Sequence, residues 1–162
     1  MEISDEEQKR YEELQLFALD YARRGMTQDL KAMLDVGMPV NLCDHKGNSL
    51  IMLSSYNENP ETTQMLVNMG AKIDKKNDRG QTPLAGVCFK GYLDIVKILV
   101  HGGANIYENN GMGTTPILYA SMFGNYEIVK YLNSKNSTFK SKIYLLISKI
   151  FGIIKGLLKK RN

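Results

Sequence analysis

The run NDRGQTPLAGVCFKGYLDIVKILVHGGANI, residues 77–106, decides the fold. It opens on Asn77-Asp78-Arg79-Gly80, where Asn or Asp in the first place and Gly in the fourth favour a type I turn. Thr82 follows, whose hydroxyl can cap a helix, and then Pro83, whose missing N–H costs nothing at the first helical position. Gly91 stops that helix after about two turns, because glycine reaches the left-handed conformation that lets a chain reverse. A second helix is predicted from the apolar spacing of Ile95, Val96, Ile98 and Leu99, and it ends at Gly103.

Outward from this run the same chemistry recurs. Gly47, Gly80 and Gly113 lie 33 residues apart, each closing a polar turn: Asp44-His45-Lys46-Gly47 before the central copy and Asn110-Gly111-Met112-Gly113 after it. Ser49-Leu50 and Thr115-Pro116 repeat the helix start, and Gly124 repeats the reversal. Ile128, Val129, Tyr131 and Leu132 repeat the second helix. Leu30, Met33 and Leu34, with Gly25 before them, mark a degenerate first copy. Second helices are expected to end at Gly37, Gly70 and Gly103, with Asn136 substituting in the last copy. The second copy carries Glu58-Asn59-Pro60 where glycine is expected, so its inter-helix turn is predicted to be irregular. No copy can bury its apolar face alone, and stacked copies share a core.

From Tyr11 to Asn136 the chain resembles ankyrin repeats, although the histidine usual after T-P-L is replaced by Met52, Ala85 or Leu118. The implied fold is an all-α ankyrin-repeat solenoid of about four helix-turn-helix repeats with short hairpin turns, plus a C-terminal amphipathic helix. The domain division that follows is 1–137 for the repeats and 138–162 for the tail helix.

A stacked array has no closed pocket of its own, so binding on an extended surface is expected rather than catalysis. The sequence contains no G-x-x-x-x-G-K-[ST], H-E-x-x-H, G-x-S-x-G or C-x-x-C motif, and the chain reads as not an enzyme. Cys43 and Cys88 suggest neither a metal site nor a disulfide framework, and Cys88 reads as a buried small residue. The acidic start, MEISDEEQKR, has no apolar export segment, which predicts a cytoplasmic location.

The net charge of +4 conceals an asymmetry, because all 17 acidic residues precede residue 138. The tail carries Lys140, Lys142, Lys149, Lys155, Lys159, Lys160 and Arg161 with no acid among them. On a helix, Ile143, Leu146, Ile147, Ile150, Phe151, Ile153, Ile154, Leu157 and Leu158 share one face opposite the lysines, and only Leu145 falls on the wrong side. Such a helix can lie in a membrane interface, attaching the protein to the inner face of the cytoplasmic membrane, or fold back and cover the apolar end of the stack. Ile143 to Leu158 is too short and too charged to span a bilayer. A basic tail without interleaved aromatics gives nucleic acid only unspecific attraction, so no nucleic-acid partner is expected.

In ankyrin arrays the ends of the first helices and the hairpin tips line a concave face that is variable between proteins. Here those places read Leu53, Tyr56 and Asn57, then Gly86, Phe89 and Lys90, then Tyr119, Met122 and Phe123. This is an aromatic ladder where polar residues are usual, and exposed aromatics favour a binding role, with another protein as the expected partner.

The run DRGQTPLAGVCFKG, with HKGNSLIMLSSY before it and LYASMFGNYEIVKYL after it, resembles a group of small proteobacterial ankyrin proteins encoded beside haem catalases. That group is associated with catalase activity and peroxide resistance, and the resemblance implies an accessory protein that handles haem or docks on a haem catalase. A flat macrocycle suits an aromatic groove, and tyrosinate is among the few protein haem ligands. Tyr56 is the preferred axial candidate for a transient, non-covalent haem, with Phe89 and Lys90 as contacts to the ring and a propionate. His45 and His101 are alternative ligands, and no covalent attachment motif is present.

Overall fold

A computed structural model describes residues 4–135 and 139–159. Four helix pairs run along the chain: α1 (Asp5–Arg24) with α2 (Thr27–Asp35), α3 (Leu50–Tyr56) with α4 (Pro60–Asn68), α5 (Pro83–Lys90) with α6 (Leu93–His101), and α7 (Pro116–Met122) with α8 (Tyr126–Lys135). A long helix, α9 (Phe139–Lys159), follows. The expected helix end at Asn136, and Lys160 and Arg161 of the basic tail, lie outside the described residues.

The repeat chemistry works as the sequence predicts. The hydroxyls of Ser49, Thr82 and Thr115 accept from the backbone N–H groups of Met52, Ala85 and Leu118 at 3.4, 3.3 and 3.4 Å, capping the three short first helices. Pro83 and Pro116 occupy the opening positions of α5 and α7. First helices stack in one layer as α1, α3, α5 and α7, second helices in another as α2, α4, α6 and α8. Between them lies one core, in which Leu30, Leu50, Leu66, Leu84, Leu99, Ile117 and Leu132 are fully buried or nearly so. Cys88 is completely buried in it, and burial pushes its thiol well above the usual range, which leaves it protonated and unreactive.

Side-chain amides tie copy to copy. Asn59 Nδ2 donates to the carbonyls of Arg23 at 2.9 Å and Ala22 at 3.3 Å, at the end of α1. Two copies along, Asn125 Nδ2 donates in the same way to Cys88 O at 2.7 Å and Phe89 O at 3.2 Å, at the end of α5. These carbonyls would otherwise be left without a partner at a helix C-terminus.

Three places depart from the expectation. The first helix is 20 residues long, because Ser4 and Glu7 form a reciprocal cap at its start: Ser4 Oγ accepts from Glu7 N at 3.3 Å and Glu7 Oε2 accepts from Ser4 N at 2.9 Å. The irregular turn of the second copy keeps the repeat geometry, with Glu58 itself held in the left-handed region at φ 61°. The turn at residues 110–113 is not the type I turn of its neighbours. Gly47 N and Gly80 N donate to Asp44 O and Asn77 O, both at 2.9 Å, whereas in the last copy Thr114 N donates to Gly111 O at 2.9 Å and Met112 takes φ 48°. Asn110 is bonded differently from its counterparts: its Nδ2 donates to Glu108 O at 2.7 Å while its Oδ1 accepts from Thr82 N at 2.7 Å in the copy before, whereas Asp44 Oδ1 and Asn77 Oδ1 accept from N–H groups of their own turns.

The tail helix packs on both α7 and α8, in the place a fifth copy would take. Tyr144 and Leu145 pack against the core, Ser148 is fully buried, and Gly152 lies against Gly124 in the turn between α7 and α8. Leu145, the residue on the wrong side of the apolar face, is thus on the docking side. The apolar stripe points the other way, and Ile143, Leu146, Ile150, Ile153, Ile154 and Leu157 are exposed.

Candidate functional site

The ends of α3, α5 and α7 and the hairpin tips between copies enclose a groove of about 640 Å³. Met52, Leu53, Tyr56 and Asn57 come from α3 and its C-terminus, Ala85, Gly86 and Phe89 from α5, and Tyr119 and Phe123 from the last pair. Lys46, Asn48, Asn77, Asp78, Arg79 and Gln81 of the hairpins, with Thr82 at the start of α5, complete the lining. The hairpins form a continuous rim: Asp78 N donates to Lys46 O at 3.1 Å, and Asn77 Nδ2 donates to Asn48 Oδ1 at 2.9 Å.

Three aromatic rings face the opening. Tyr56 is 43% exposed, Phe89 38% and Phe123 39%, values that leave enough apolar area in the groove to anchor a ligand. Phe89 and Phe123 meet edge to face. The Lys90 ammonium lies 5.1 Å from the centroid of the Tyr56 ring and 5.5 Å from that of Tyr92, a cation–π arrangement. Gly86 makes room for Tyr56: a Cβ on it would come 3.1 Å from Tyr56 Cδ2. The Tyr119 hydroxyl accepts from Thr114 Oγ1 at 3.4 Å, whereas the Tyr56 hydroxyl makes no hydrogen bond among the described residues.

The structure therefore gathers Leu53, Tyr56, Asn57, Phe89, Tyr119 and Phe123 in one groove, with Lys90 beside it on Tyr56. Met122 is exposed but does not line the groove. His45 in the hairpin that opens the second copy and His101 at the end of α6 are exposed and do not line it either. Lys142, Lys149, Phe151 and Lys155 are exposed on α9, and Lys159 closes that helix. The hairpin cations Lys46 and Arg79 were not singled out from the sequence, and their position in each turn just before the closing glycine was the available signal.

Below the rim Asp44 is bound on several sides. It accepts from Lys46 N and Asn48 N at 2.9 Å each, from Asn48 Nδ2 at 3.1 Å, and from Arg23 Nη2 at 2.9 Å. Burial pulls its pKa upward, but the hydrogen bonds from Asn48, Lys46 and Arg23 outweigh it and hold the carboxyl below the usual aspartate range. Asp74 is the opposite case, raised by burial even though it accepts from Asn105 N at 3.0 Å. A second depression, of about 420 Å³, lies between α2 and α4 and offers no aromatic anchor. Among the described residues no cluster of His, Cys, Asp and Glu could hold a metal ion, and no helix is long and apolar enough to cross a membrane.

Paired helices stacked in two layers, with an open groove along the ends of the first helices, define a repeat-built recognition module. The chain belongs to the ankyrin repeat family: the three-copy ankyrin repeat model matches residues 18–110 and again 51–143. Over 51 residues it is 47% identical to an ankyrin repeat protein of Pseudomonas aeruginosa, a match covering 32% of this chain and 29% of that relative. The matched stretch is thus less than a third of the relative's length. Ankyrin repeats are protein–protein interaction modules, and that is the general role of this fold.

Proposed function

We propose that this chain is a non-catalytic accessory protein whose aromatic groove serves a haem catalase, by carrying haem to it or by docking on it. The observation that carries the reading is the contiguous groove of about 640 Å³ with Tyr56, Phe89 and Phe123 exposed along it. Its aromatic lining suits a flat macrocycle, and Lys46, Arg79 and Lys90 supply cations for carboxylates at its edge. Tyr56 offers a hydroxyl that no other described residue engages, so an iron would meet no competing hydrogen bond there. The exposed positions of His45 and His101 leave them as ligands only for a site outside this groove. The resemblance of residues 45–56, 78–91 and 118–132 to catalase-associated ankyrin proteins supplies the partner class.

The test is a hemin titration followed by absorption spectroscopy, run on the wild type, Tyr56→Ala and Tyr56→Phe. Saturable uptake with a ligand spectrum altered in both variants is expected. Weak, unsaturable association would leave the groove as a site for polypeptide alone. A second reading, a protein-interaction scaffold attached peripherally to the cytoplasmic membrane, is favoured by one observation, the apolar stripe that α9 presents to solvent.

A further inference from the structure

We propose that α9 is two-sided, sealing the end of the stack with one face while the opposite face lies in an anionic lipid surface. This rests on the membrane-attached reading of the chain and adds to it the inserted face, the lipid class and the docked state of the helix.

The docking face is small and partly polar. Tyr144, Leu145, Ser148 and Gly152 turn toward α7 and α8, and Gly152 comes so close to the turn that a Cβ on Gly124 would lie 2.6 Å from its backbone nitrogen. That contact fixes the rotation of α9 about its own axis. With the rotation fixed, Ile143, Leu146, Ile150, Ile153, Ile154 and Leu157 point away from the protein, each between 44% and 64% exposed. The stripe is straight and spans about 20 Å at the 1.5 Å rise of a helix. Soluble chains rarely leave so much contiguous apolar area in water without an occupant.

Charge selects the occupant. Lys142 and Lys155 lie exposed on α9, Lys149 is exposed with its ammonium 5.5 Å from the centroid of the Tyr126 ring, and no acid occurs anywhere from residue 138 onward. An anionic lipid surface offers a flat apolar phase to the whole stripe and phosphate groups to its lysines. Capping and lipid contact use opposite faces, so the helix need not leave the stack to reach a bilayer.

The chain contains no tryptophan, which permits single reporters. Wild type, Ile150→Trp and Tyr144→Trp are floated with vesicles of phosphatidylcholine containing phosphatidylglycerol, and with phosphatidylcholine alone. Flotation with the anionic vesicles, at least about tenfold weaker without phosphatidylglycerol and reduced by salt, is expected. So is a blue shift of emission from Ile150→Trp and none from Tyr144→Trp. The Ile150→Glu/Ile154→Glu variant is expected to lose flotation and keep its thermal melt. Flotation with the shift in Tyr144→Trp instead, or a double variant that floats normally but melts early, overturns the two-sided assignment while membrane attachment stands. No flotation of the wild type overturns both. A lipid-free dimer that the double variant makes monomeric overturns the lipid assignment in favour of a second copy.

Discussion

Phe89 and Phe123 meet with ring centroids 4.4 Å apart and planes inclined at 74°, joining the third and fourth copies across the groove. An edge-to-face pair of this kind contributes about 0.5–1.5 kcal/mol beyond its area burial. Both rings remain more than a third exposed, so they hold less of the core than a buried aromatic does. Phe89→Ala is therefore expected to cost about 1 kcal/mol of stability by thermal melt, against about 3–5 kcal/mol for a fully buried phenylalanine. Its effect on binding is larger: loss of a groove anchor weakens hemin or partner uptake at least about tenfold, read by titration. A melt lowered sharply with uptake unchanged would make the pair a packing element only.

Gly86 controls Tyr56 by being small. An alanine there would place its Cβ 3.1 Å from Tyr56 Cδ2, and the exposed ring can give way by a few tenths of an ångström. Glycine inside a helix costs about 1 kcal/mol relative to alanine, so Gly86→Ala is expected to leave the melt unchanged or raise it slightly. The same change displaces the preferred ligand residue, and the hemin spectrum of Gly86→Ala is expected to differ from wild type. An unchanged spectrum in a folded variant would separate Tyr56 from the haem site.

Glu58 occupies at φ 61° the place that glycine holds in the other copies, and it is exposed. A non-glycine residue in this conformation costs about 1–2 kcal/mol, part of which glycine forfeits through its freer unfolded chain. Glu58→Gly is expected to gain about 0.5–1 kcal/mol and raise the melting temperature by about 2 °C. A lower melting temperature would mean that the glutamate side chain makes a favourable interaction outweighing the strain.

The period, the caps and the aromatic ladder were legible because each depends on residue type at a fixed spacing. Thr82, Pro83 and Gly91 specify a local conformation wherever they stand in that order, and the groove follows once the copies stack. The length of α1 was legible in principle, since Ser4-Asp5-Glu6-Glu7 is a capping box in sequence, but that box precedes Tyr11, where the repeat pattern starts. The rotation of α9 was not. An apolar moment points toward the core when burial of that face is the largest available gain, whereas here Gly152 against Gly124 and Ser148 in a tight contact decide the orientation. Close backbone approach outranks the apolar stripe, and no periodicity encodes it. The bond that Asn110 Oδ1 accepts from Thr82 N escaped for a related reason, because it lies between copies rather than within one turn.

Asp44 and Arg23 predict the acid limb of stability. The folded pKa of Asp44 lies below the ordinary value, so the aspartate contributes stability that is fully present above the unfolded pKa and is lost as pH falls through the folded one. Asp74, raised by burial, works in the opposite direction, favouring the folded state as it takes up its proton. Asp44→Asn is expected to be less stable than wild type at neutral pH and to begin to converge on it below about pH 4, near the unfolded aspartate value. Denaturant melts from pH 7 to pH 3 check this. A constant difference across that range would assign the effect of the substitution to packing rather than to charge.

The contact between α9 and the stack can be isolated from the backbone term by comparing two glycines. Gly80 (φ 74°) and Gly124 (φ 69°) share the left-handed conformation, but a Cβ at Gly80 would meet nothing within 4 Å, whereas one at Gly124 would lie 2.6 Å from Gly152 N and 2.8 Å from its Cα. Gly80→Ala therefore carries the backbone penalty alone, about 1–2 kcal/mol. Gly124→Ala carries the same penalty and adds overpacking against a rigid backbone, typically another 1–3 kcal/mol. A melt of Gly124→Ala at least about 1 kcal/mol below that of Gly80→Ala is expected, because the neighbour is main chain and cannot rotate away as a side chain would. Equal losses would mean that α9 yields at no cost, and the outward orientation of its apolar stripe would then lack the constraint that fixes it. Gly152→Ala supplies the counter-test: its Cβ would stand 3.5 Å from Gly124 O, an ordinary contact, so this substitution is expected to be tolerated and to gain some helix propensity.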